Sequence, residues 1–428
     1  MNSRRLQWTA PEQLAEEIRE WFADDAEVVD VSGIERQVAE GGDDSLLDLT
    51  SRFDAPDAED LKLAVPLEDT RAALERLDPE VRNALETAIE NVGLVARAQL
   101  AAESTVELPQ GQTVTVGQTA VASAGVYAPG GRASYPSSLI MACVPARVAG
   151  VARIVVVSPP SSDGLINPVT LAAAALCEVD EIYAVGGAQA IFALARGTQS
   201  IRPVDVIAGP GNAWVQAAKK SVFGEVAIDS LAGPSDLTVV FDRETDLELA
   251  ALDLCAQAEH GAESPLVAIA VNGGDLAGLQ EVVDRIAADQ PSVKDCRLAL
   301  VEAPSPEQAI ALVNSVAPEH LQLMDEASAS RAADVRTAGC VFVGPEAATA
   351  FGDYIAGSNH ILPTDGTGKS FGPVSPVTFR RSTARVSLTP GSAAALSGPL
   401  NALAKAEGLP VHGLSAMARR EDEQNSDD

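Results

Sequence analysis

An alternation of short β-branched runs with alanine-rich segments of helical length constrains the fold most, and it begins near residue 125 of the 428. "ARIVVVS" (152–158) has the composition of a buried strand. The next segment, "NPVTLAAAALCE", predicts a helix with Asn167 as N-cap and Pro168 at its first position. Strand and helix then alternate through "EIYAV", "GGAQAIFALARG", "VDVIAG" and "PGNAWVQAAKKSVFG". A β-α-β-α-β order predicts a parallel sheet with right-handed crossovers.

A second series of the same kind follows "AGPSD". Its predicted strands are "LTVVFD", "PLVAIAV", "RLALVE" and "GCVFVG", and helices are predicted over 246–260, over 275–289 and from Ser305. The N-terminal quarter is predicted to be mainly helical, over 10–22 and 67–103, with Thr9 as the first N-cap and Glu12 completing a capping box. From about residue 374 the chain reads as a small appendage.

The charge balance is strongly acidic, with 61 Asp and Glu against 30 Lys and Arg, and only six of the basic residues are lysines. The acidic residues are spread along the chain rather than clustered, which predicts a solvated acidic surface and not a site for a cationic partner. Such a lysine-poor, acidic composition is typical of proteins from halophilic organisms. Their cytoplasm contains enough salt to screen the repulsion among the acidic side chains. A nucleic-acid partner is excluded, because the protein's field repels phosphate and no Lys/Arg cluster with interleaved aromatic residues is present.

The five cysteines are odd in number, widely spaced and never arranged as CxxC. This argues against both a disulfide framework and a zinc–thiolate site, and favours buried thiols in a reducing compartment. The start of the chain lacks the apolar core of a signal peptide, and no apolar run approaches the length of a membrane span. We therefore expect a cytoplasmic protein with no membrane partner.

Two glycine-containing loops stand where a nucleotide lies in an open α/β sheet, beyond the carboxyl ends of strands: "VGGAQA" (185–190) and "AGPGNAW" (208–214). Each opens a helix whose free N–H groups can face a pyrophosphate. Neither is GxGxxG, and helix caps at tight turns explain such glycines equally well. "PTDGTGKS" (363–370) lacks the leading glycine of a phosphate loop, which excludes ATP or GTP on that basis.

All four histidines stand near a carboxylate or amide side chain, in the pairs Gln257/His260, Glu319/His320, Asp353/His360 and Glu407/His412. Gln257 and His260, three apart on a predicted helix, share a face and can aim two donor atoms at one point. A capping or core role is the alternative for a histidine near a helix end. Glu319 and His320 are adjacent, so the two side chains diverge and can serve two separate proton transfers. Asp353 and His360 lie in a glycine-rich loop.

Eight separated stretches give these residues a common context, because their order and spacing resemble those of the histidinol dehydrogenase family. The match runs over nearly the whole chain, from about residue 10 to 418, and all four histidines fall inside the eight stretches. The stretches are "YAPGG", "GGAQA", "GPGNA", "IDSLAGPSD", "AQAEHG", "APEHL", "GDYIAGSNHILPT" and "EGLPVH".

The resemblance implies an α/β fold of two Rossmann-like parallel-sheet domains that lack GxGxxG, with small N- and C-terminal extensions. The expected organisation is a helical extension over 1–24, a discontinuous α/β domain with the metal and catalytic residues over 25–127 and 235–373, a NAD-binding domain over 128–234, and a C-terminal extension over 374–428 that completes the active site of the partner subunit.

The resemblance also implies a set of site residues. The expected zinc ligands are Gln257, His260, Asp353 and His412, with His412 supplied by the partner in a homodimer. Two imidazoles, an amide oxygen and a carboxylate suit a borderline metal such as Zn²⁺. Further substrate contacts are implied at Ser235, His320, His360 and Glu407, and NAD contacts at Tyr127, Gln189 and Asn212.

The activity that the resemblance implies is the oxidation of L-histidinol to L-histidine, at the end of histidine biosynthesis, in two NAD-dependent steps through bound L-histidinal. His320 takes the alcohol proton, and Glu319 activates the water that hydrates the aldehyde. One departure is Asp236, where the family usually has Glu after "AGPS". Two other classes stay open at this point: a zinc hydrolase, because a metal beside a Glu–His pair can activate water against an amide, and a non-catalytic nucleotide-binding module.

Overall fold

The computed structural model describes residues 1–23, 29–130, 134–293 and 295–420. These residues form two compact units, the first made of Met1–Gln99 and Val121–Phe379 and the second of Leu100–Ala120 and the chain from Arg380 onward. The strands are β1 (Asn2–Leu6), β2 (Ser104–Glu107), β3 (Thr113–Ala120), β4 (Ser123–Tyr127), β5 (Arg153–Ser158), β6 (Glu181–Ala184), β7 (Val206–Ala208), β8 (Ala227–Ile228), β9 (Leu237–Phe241), β10 (Pro265–Ala270), β11 (Arg297–Glu302), β12 (His320–Leu323), β13 (Cys340–Val343) and β14 (Arg380–Ser387).

The α-helices are α1 (Pro11–Phe22), α2 (Ser32–Gly41), α3 (Asp43–Phe53), α4 (Leu67–Arg76), α5 (Pro79–Ala98), α6 (Pro136–Ala149), α7 (Pro168–Leu176), α8 (Gly187–Arg196), α9 (Ala213–Val222), α10 (Leu247–Ala258), α11 (Leu276–Asp289), α12 (Pro306–Val316), α13 (Glu326–Ala329), α14 (Thr349–Tyr354), α15 (Pro390–Ala406) and α16 (Pro410–Met417).

The first predicted series forms a five-stranded parallel sheet in the order β6-β5-β4-β7-β8. Counted along the chain within this sheet, the order is 3-2-1-4-5, so the strand order reverses between β4 and β7. Such a reversal opens a crevice beyond the carboxyl ends of the two strands, where α/β sheets bind ligands. β4, with its buried run "SAGVY", was not predicted from the sequence although it is the central strand.

The second series forms a six-stranded parallel sheet in the order β1-β11-β10-β9-β12-β13. Its last five strands repeat the 3-2-1-4-5 order of the first sheet. The N-terminal segment, expected to be a helical extension, also contributes β1, whose Asn2 to Leu6 pair with Arg297 to Val301 of β11. Its polar and mostly exposed residues suit a sheet edge, and Leu6 is buried.

The predicted helix starts agree with the structure where a polar side chain precedes a proline. Asn167 accepts a hydrogen bond from the Val169 backbone N–H at 2.8 Å, with Pro168 at the first position of α7. Ser305 caps α12 in the same way. The prediction for α1 was wrong, because Ala10 occupies the N-cap and no side chain caps the helix. There Pro11 alone marks the helix start.

Helices α2, α3 and α5 pack on the five-stranded sheet, whereas α1 packs on the six-stranded sheet. Val38 and Leu46, from α2 and α3, share a core with Val155 and Ile191. Leu85 and Val92 of α5 belong to the core on the opposite side of β4, with Val126 and Ile154. Residues 29–98 are thus attached to the sheet of the predicted NAD-binding domain, whereas the sequence grouped them with the second series; the burial of these apolar faces is what attaches them.

The second unit consists of a three-stranded antiparallel sheet, β14-β3-β2, and the helix pair α15 and α16. Thr389 and Ser392 form a capping box at the start of α15. Large apolar side chains of this unit are exposed, which is unusual for one compact body. They are Val106, Val116, Val386, Leu388, Leu400, Leu403, Leu409, Val411 and Leu414.

Two further sequence expectations concern thiols and the membrane. All five cysteines are free; four are buried, as expected, and Cys340 is partly exposed. Within the described part of the chain, no helix combines the length and the apolar character that crossing a bilayer requires.

A cluster of charges joins the amino ends of β5 and β6. Arg153 contacts both carboxylate oxygens of Glu181, at 2.7 and 3.2 Å. Arg202 and the Tyr183 hydroxyl also donate to this carboxylate, at 2.8 and 2.9 Å. The Glu181 side chain is 21% exposed, and the hydrogen bonds from Arg153 lead in lowering its pKa to about 2.

We expect Glu181→Gln to destabilise the first unit at pH 7 by about 1–2 kcal/mol, since it replaces charge-assisted hydrogen bonds. A lowered pKa means that the stabilisation is present above about pH 4.3, the unfolded value, and is lost as the pH falls toward 2. Urea unfolding of wild type and variant should therefore give free energies that converge below about pH 4.3. Glu90→Gln, at an exposed position of α5, is the control. An equal difference at pH 7 and pH 3 would contradict the assignment.

Candidate active site

One cavity of about 400 Å³ lies within the first unit and is reached by both sheets. Pro129, after β4, and the segment 209–212, after β7, line the cavity from the five-stranded sheet. These are the carboxyl ends of the strands where the order reverses. Ser235, before β9, and Ser264, before β10, line the cavity from the six-stranded sheet. Both lie at the amino ends of their strands. The cavity thus lies between opposite ends of two parallel sheets.

The predicted nucleotide residues divide into two groups. Asn212 lines the cavity, and its side-chain oxygen accepts hydrogen bonds from the backbone N–H groups of Trp214 and Val215, both at 3.1 Å, which caps α9. Tyr127 and Gln189 lie together at the turn that opens α8. The Tyr127 hydroxyl accepts a hydrogen bond from the Gly187 backbone N–H at 3.1 Å, and burial raises its pKa to about 12. This phenol therefore stays protonated at neutral pH.

The turn that opens α8 requires glycine for reasons of space. A Cβ on Gly186 would lie 2.4 Å from the Cβ of Pro159. No side chain caps this helix start, so the first-turn N–H groups of α8 depend on other partners. The Tyr127 hydroxyl serves as one of them.

Glu319 and His320 are positioned by β12, a strand between β9 and β13 that the sequence analysis did not predict. Both side chains are buried, with Glu319 at 5% and His320 at 3% exposure. One Glu319 carboxylate oxygen accepts hydrogen bonds from the Ser235 hydroxyl and, at 3.0 Å, from the Asp236 backbone N–H. The Gln257 amide in turn donates to the Ser235 hydroxyl at 2.8 Å. Four of the predicted site residues thus form one cluster.

Asp236, the departure from the family pattern, supports both members of the Glu319–His320 pair. Its carboxylate accepts a hydrogen bond from the Glu319 backbone N–H at 2.9 Å, and its carbonyl oxygen lies 3.0 Å from His320 Nδ1. Burial, followed by the nearby Glu319 carboxylate, raises the pKa of Asp236. Burial also raises the pKa of Glu319. The shorter side chain at position 236 thus reaches the backbone of Glu319 directly.

The imidazole of His320 bridges the carboxylate cluster and Asp353. A carbonyl oxygen only accepts, so the contact with Asp236 assigns the proton of the neutral ring to Nδ1. Nε2 lies 3.5 Å from Asp353 Oδ1 on the other side of the ring. Burial lowers the pKa of His320, but Glu319 and Asp353 outweigh burial and raise it to about 9. With a pKa of about 9 the ring is protonated on both nitrogens at neutral pH, and Nε2 becomes a proton acceptor only in the neutral form of the ring.

His360 uses both ring nitrogens within the protein. Its Nδ1 lies 2.6 Å from the Asp353 carbonyl oxygen, and its Nε2 lies 3.0 Å from the Ser138 hydroxyl. Burial lowers the pKa of His360, which keeps the ring neutral, with Nδ1 donating and Nε2 accepting. Ser138 was missed by the sequence analysis; a buried hydroxyl in the otherwise apolar helix α6 is the signal that could have found it. His360 lines the cavity and also fixes the backbone of Asp353.

Three of the predicted metal ligands belong to the first unit. α10 ends at Ala258, so His260 lies in the turn just beyond the helix and lines the cavity with Asp353. The His260 imidazole makes no hydrogen bond to another described residue. The Gln257 amide nitrogen donates to the Ser235 hydroxyl, and this hydrogen bond leaves the amide oxygen unused. No group of three or more His, Cys, Asp or Glu side chains within the described ranges has the arrangement of a metal site.

Glu407 and His412 belong to the second unit, where Glu407 ends α15 and His412 lies in the first turn of α16. Both are exposed. Together with Leu400, Leu403 and Leu409 they line a groove of that unit.

Comparison with known proteins gives these residues their family. The family model of histidinol dehydrogenase matches residues 19–420. The chain belongs to the histidinol dehydrogenase family. Histidinol dehydrogenase from Rhodospirillum rubrum is 43% identical over 91% of each chain, and that from Nitrosomonas europaea is 39% identical over the same shares. The crystal structure of histidinol dehydrogenase from Elizabethkingia anophelis superposes with a TM-score of 0.89 at 29% identity, covering 98% of both chains.

Membership of the histidinol dehydrogenase family confirms the predicted family and enzyme class, an oxidoreductase, and the structural match confirms the predicted α/β class with parallel sheets. The individual site residues stay predictions, now with the geometry described above.

Proposed function

We propose that this chain oxidises L-histidinol to L-histidine in two successive NAD-dependent steps through bound L-histidinal, with zinc as a resident metal, in histidine biosynthesis. The observation that carries the proposal is the buried Glu319–His320 pair, which opens into a cavity shared with His260 and Asp353 and with the loop after β7. Such a cavity offers proton-transfer groups, candidate metal ligands and a nucleotide crevice in one place.

The residues present fit a zinc ion. The His260 imidazole has no hydrogen-bond partner among the described residues, and Asp353 offers a carboxylate. The Gln257 amide is oriented by Ser235 so that its oxygen is free to ligate. The described acidic residues of the cavity wall, which also include Glu263 and Glu319, favour a cation. Zinc with these ligands would add positive charge and orient a substrate that brings an imidazole and an amine.

The residues present also fit NAD, which would accept the hydride. The loops after β4 and β7 flank the crevice where the strand order reverses, and glycine lets the backbone approach closely there. Asn212 on the cavity wall, with Tyr127 and Gln189 at the α8 turn, are the proposed contacts.

The proton transfers are assigned to the two buried groups. The neutral form of His320, held through Nδ1 by the Asp236 carbonyl, would take the alcohol proton on Nε2 in the first step. Glu319 would accept a proton from the water that hydrates the aldehyde, and His320 would again accept a proton in the second oxidation. Ser235, which donates to Glu319, would hold that carboxylate in place.

We also propose that the protein works as a homodimer in which His412 and Glu407 of one copy complete the cavity of the other. These two residues are exposed and line a groove among exposed leucines, and a second copy of the chain would bury that apolar surface. Five free cysteines agree with the proposed cytoplasmic location.

The reaction is tested by its stoichiometry. Purified zinc-loaded protein given NAD and L-histidinol should form two NADH for each L-histidine, followed by absorbance and by product chromatography. Hydrolysis of an amide without NADH would favour the zinc hydrolase instead, and NAD binding without turnover would favour a nucleotide-binding module.

The metal ligands and the base are separated by a pair of variants. His260→Ala should lose bound zinc, measured by elemental analysis after dialysis, because it removes a ligand. His320→Ala should retain zinc and lower kcat by about 10²–10⁴-fold, because it removes only the proton acceptor. Loss of zinc from His320→Ala, with thermal stability unchanged, would show that the division between ligand and base is wrong.

The shared site is tested by mixing two inactive variants. His320→Ala and His412→Ala carry their defects in different halves of each proposed site, so a heterodimer contains one intact site. Random reassortment after co-refolding should restore about a quarter of the wild-type activity. His320→Ala mixed with Glu319→Gln is the control, since both changes affect the same half of each site and no intact site can form. Equal activity in the two mixtures would contradict a site shared between subunits.

A further inference from the structure

A fully buried ion pair stands in the cavity wall, and no step of the proposed reaction uses it. Lys219 of α9 has a side chain 1% exposed, and Asp229, after β8, has one 2% exposed. Lysine is scarce here, with six in the chain. Lys219 is the single Lys or Arg among the described residues that line the cavity.

The pair holds both sides of one residue, Gly209. The Lys219 ammonium donates to the Gly209 carbonyl oxygen at 3.1 Å and to one carboxylate oxygen of Asp229. The other carboxylate oxygen of Asp229 accepts a hydrogen bond from the Gly209 backbone N–H at 2.8 Å. The first oxygen also accepts from the Ser230 N–H at 2.8 Å. The Lys219–Asp229 pair therefore fixes the two peptide groups that flank the Gly209 Cα.

Position 209 accommodates only glycine, whose backbone is flexible, so its conformation depends on these hydrogen bonds. Its φ is +125°, and a Cβ would lie 2.2 Å from the Tyr127 carbonyl oxygen. Glycine at such a position has the largest conformational freedom to lose, so external bonds must select its conformation. A buried ion pair contributes little net stability, since desolvation offsets its Coulombic attraction. What the pair does here is define the path of the backbone.

That backbone leads directly into the proposed cofactor crevice. Gly209 is the first residue after β7, and the segment 209–212 lines the cavity and opens α9. Asn212, the proposed NAD contact, is the last residue of this segment and caps the same helix that carries Lys219. A change in the Gly209 conformation would move Asn212 and the N–H groups that follow it.

We propose that Lys219 and Asp229 are positioning residues that hold the 209–212 segment in the conformation that binds the dinucleotide. Their effect is on cofactor binding, and not on the metal or on the binding of histidinol. The predicted contacts of those two ligands lie near the amino ends of the six-stranded sheet, at the end of α14 and in the segment that follows it, and in the second unit. The inference rests on the NAD dependence proposed above.

The test compares Lys219→Met with Lys220→Met. Methionine approximates the length of lysine without the charge, and Lys220 is the exposed neighbour on the same helix, so both variants lose the same charge. Lys219→Met should raise KM for NAD roughly 10–100-fold, as displaced binding groups do, with KM for histidinol and the zinc content within about twofold of wild type. Lys220→Met should keep all three values.

Lys219→Met leaves Asp229 buried without its partner and can fail to fold for that reason. Two further variants are therefore measured in the same assay. Asp229→Asn is isosteric, and the double variant Lys219→Met/Asp229→Asn buries no charge. A raised KM for NAD in either supports the proposal. A wild-type KM for NAD in a folded single or double variant overturns it, as does failure of all three to fold, which would make the pair a stability element.

The failure of the proposed function is separate from the failure of this inference. If wild-type protein with zinc and histidinol formed no NADH, the reaction itself would be wrong, and calorimetric titration of NAD into wild type and variants would still measure the effect of the pair. Equal dissociation constants for NAD in wild type and in Lys219→Met would then overturn the positioning role alone.

Discussion

The site depends on the burial of ionisable groups at the amino end of β12. Removing carboxylates from water costs several kcal/mol each unless hydrogen bonds replace the lost hydration. Glu319 receives two such bonds, from the Ser235 hydroxyl and the Asp236 backbone, and Asp236 receives one from the Glu319 backbone. This reciprocal arrangement holds the carboxylate and the adjacent imidazole in one geometry before any ligand is bound, which is what proton transfer at a fixed distance requires.

The two sheets supply the site in different ways. The five-stranded sheet uses the carboxyl ends of its strands, the usual place for ligands in such folds. The six-stranded sheet, with the same 3-2-1-4-5 strand order, presents its amino ends to the cavity. The strand pairing brings His320 level with Leu237 and Cys340, so the residues before β9 and at the start of β12 meet. The fold therefore brings a crevice for one ligand and a set of ionisable groups for another to the same cavity.

The sequence predicted most strands of both sheets because their runs are apolar, β-branched and bounded by turn residues. It missed β12, the strand that carries His320, because "HLQL" is four residues long and half polar. It missed β1 because the edge strand "NSRRL" is polar except for its last residue and has no apolar run. The site residues came from the family resemblance. Ser138, the partner of His360, and the Lys219–Asp229 pair depend on tertiary contacts that no local pattern encodes.

The acidic composition sets a condition on how this fold can bind a dinucleotide. A net charge of −31 repels a pyrophosphate, and the one lysine among the described residues of the cavity wall is neutralised by Asp229. Oriented backbone dipoles can attract the proposed cofactor, and salt that screens the distant carboxylates weakens the repulsion. Backbone dipoles act only where the backbone is held in place. An acidic protein with this crevice is thus more dependent on a buried pair that orients a peptide than on an exposed cation that attracts a phosphate.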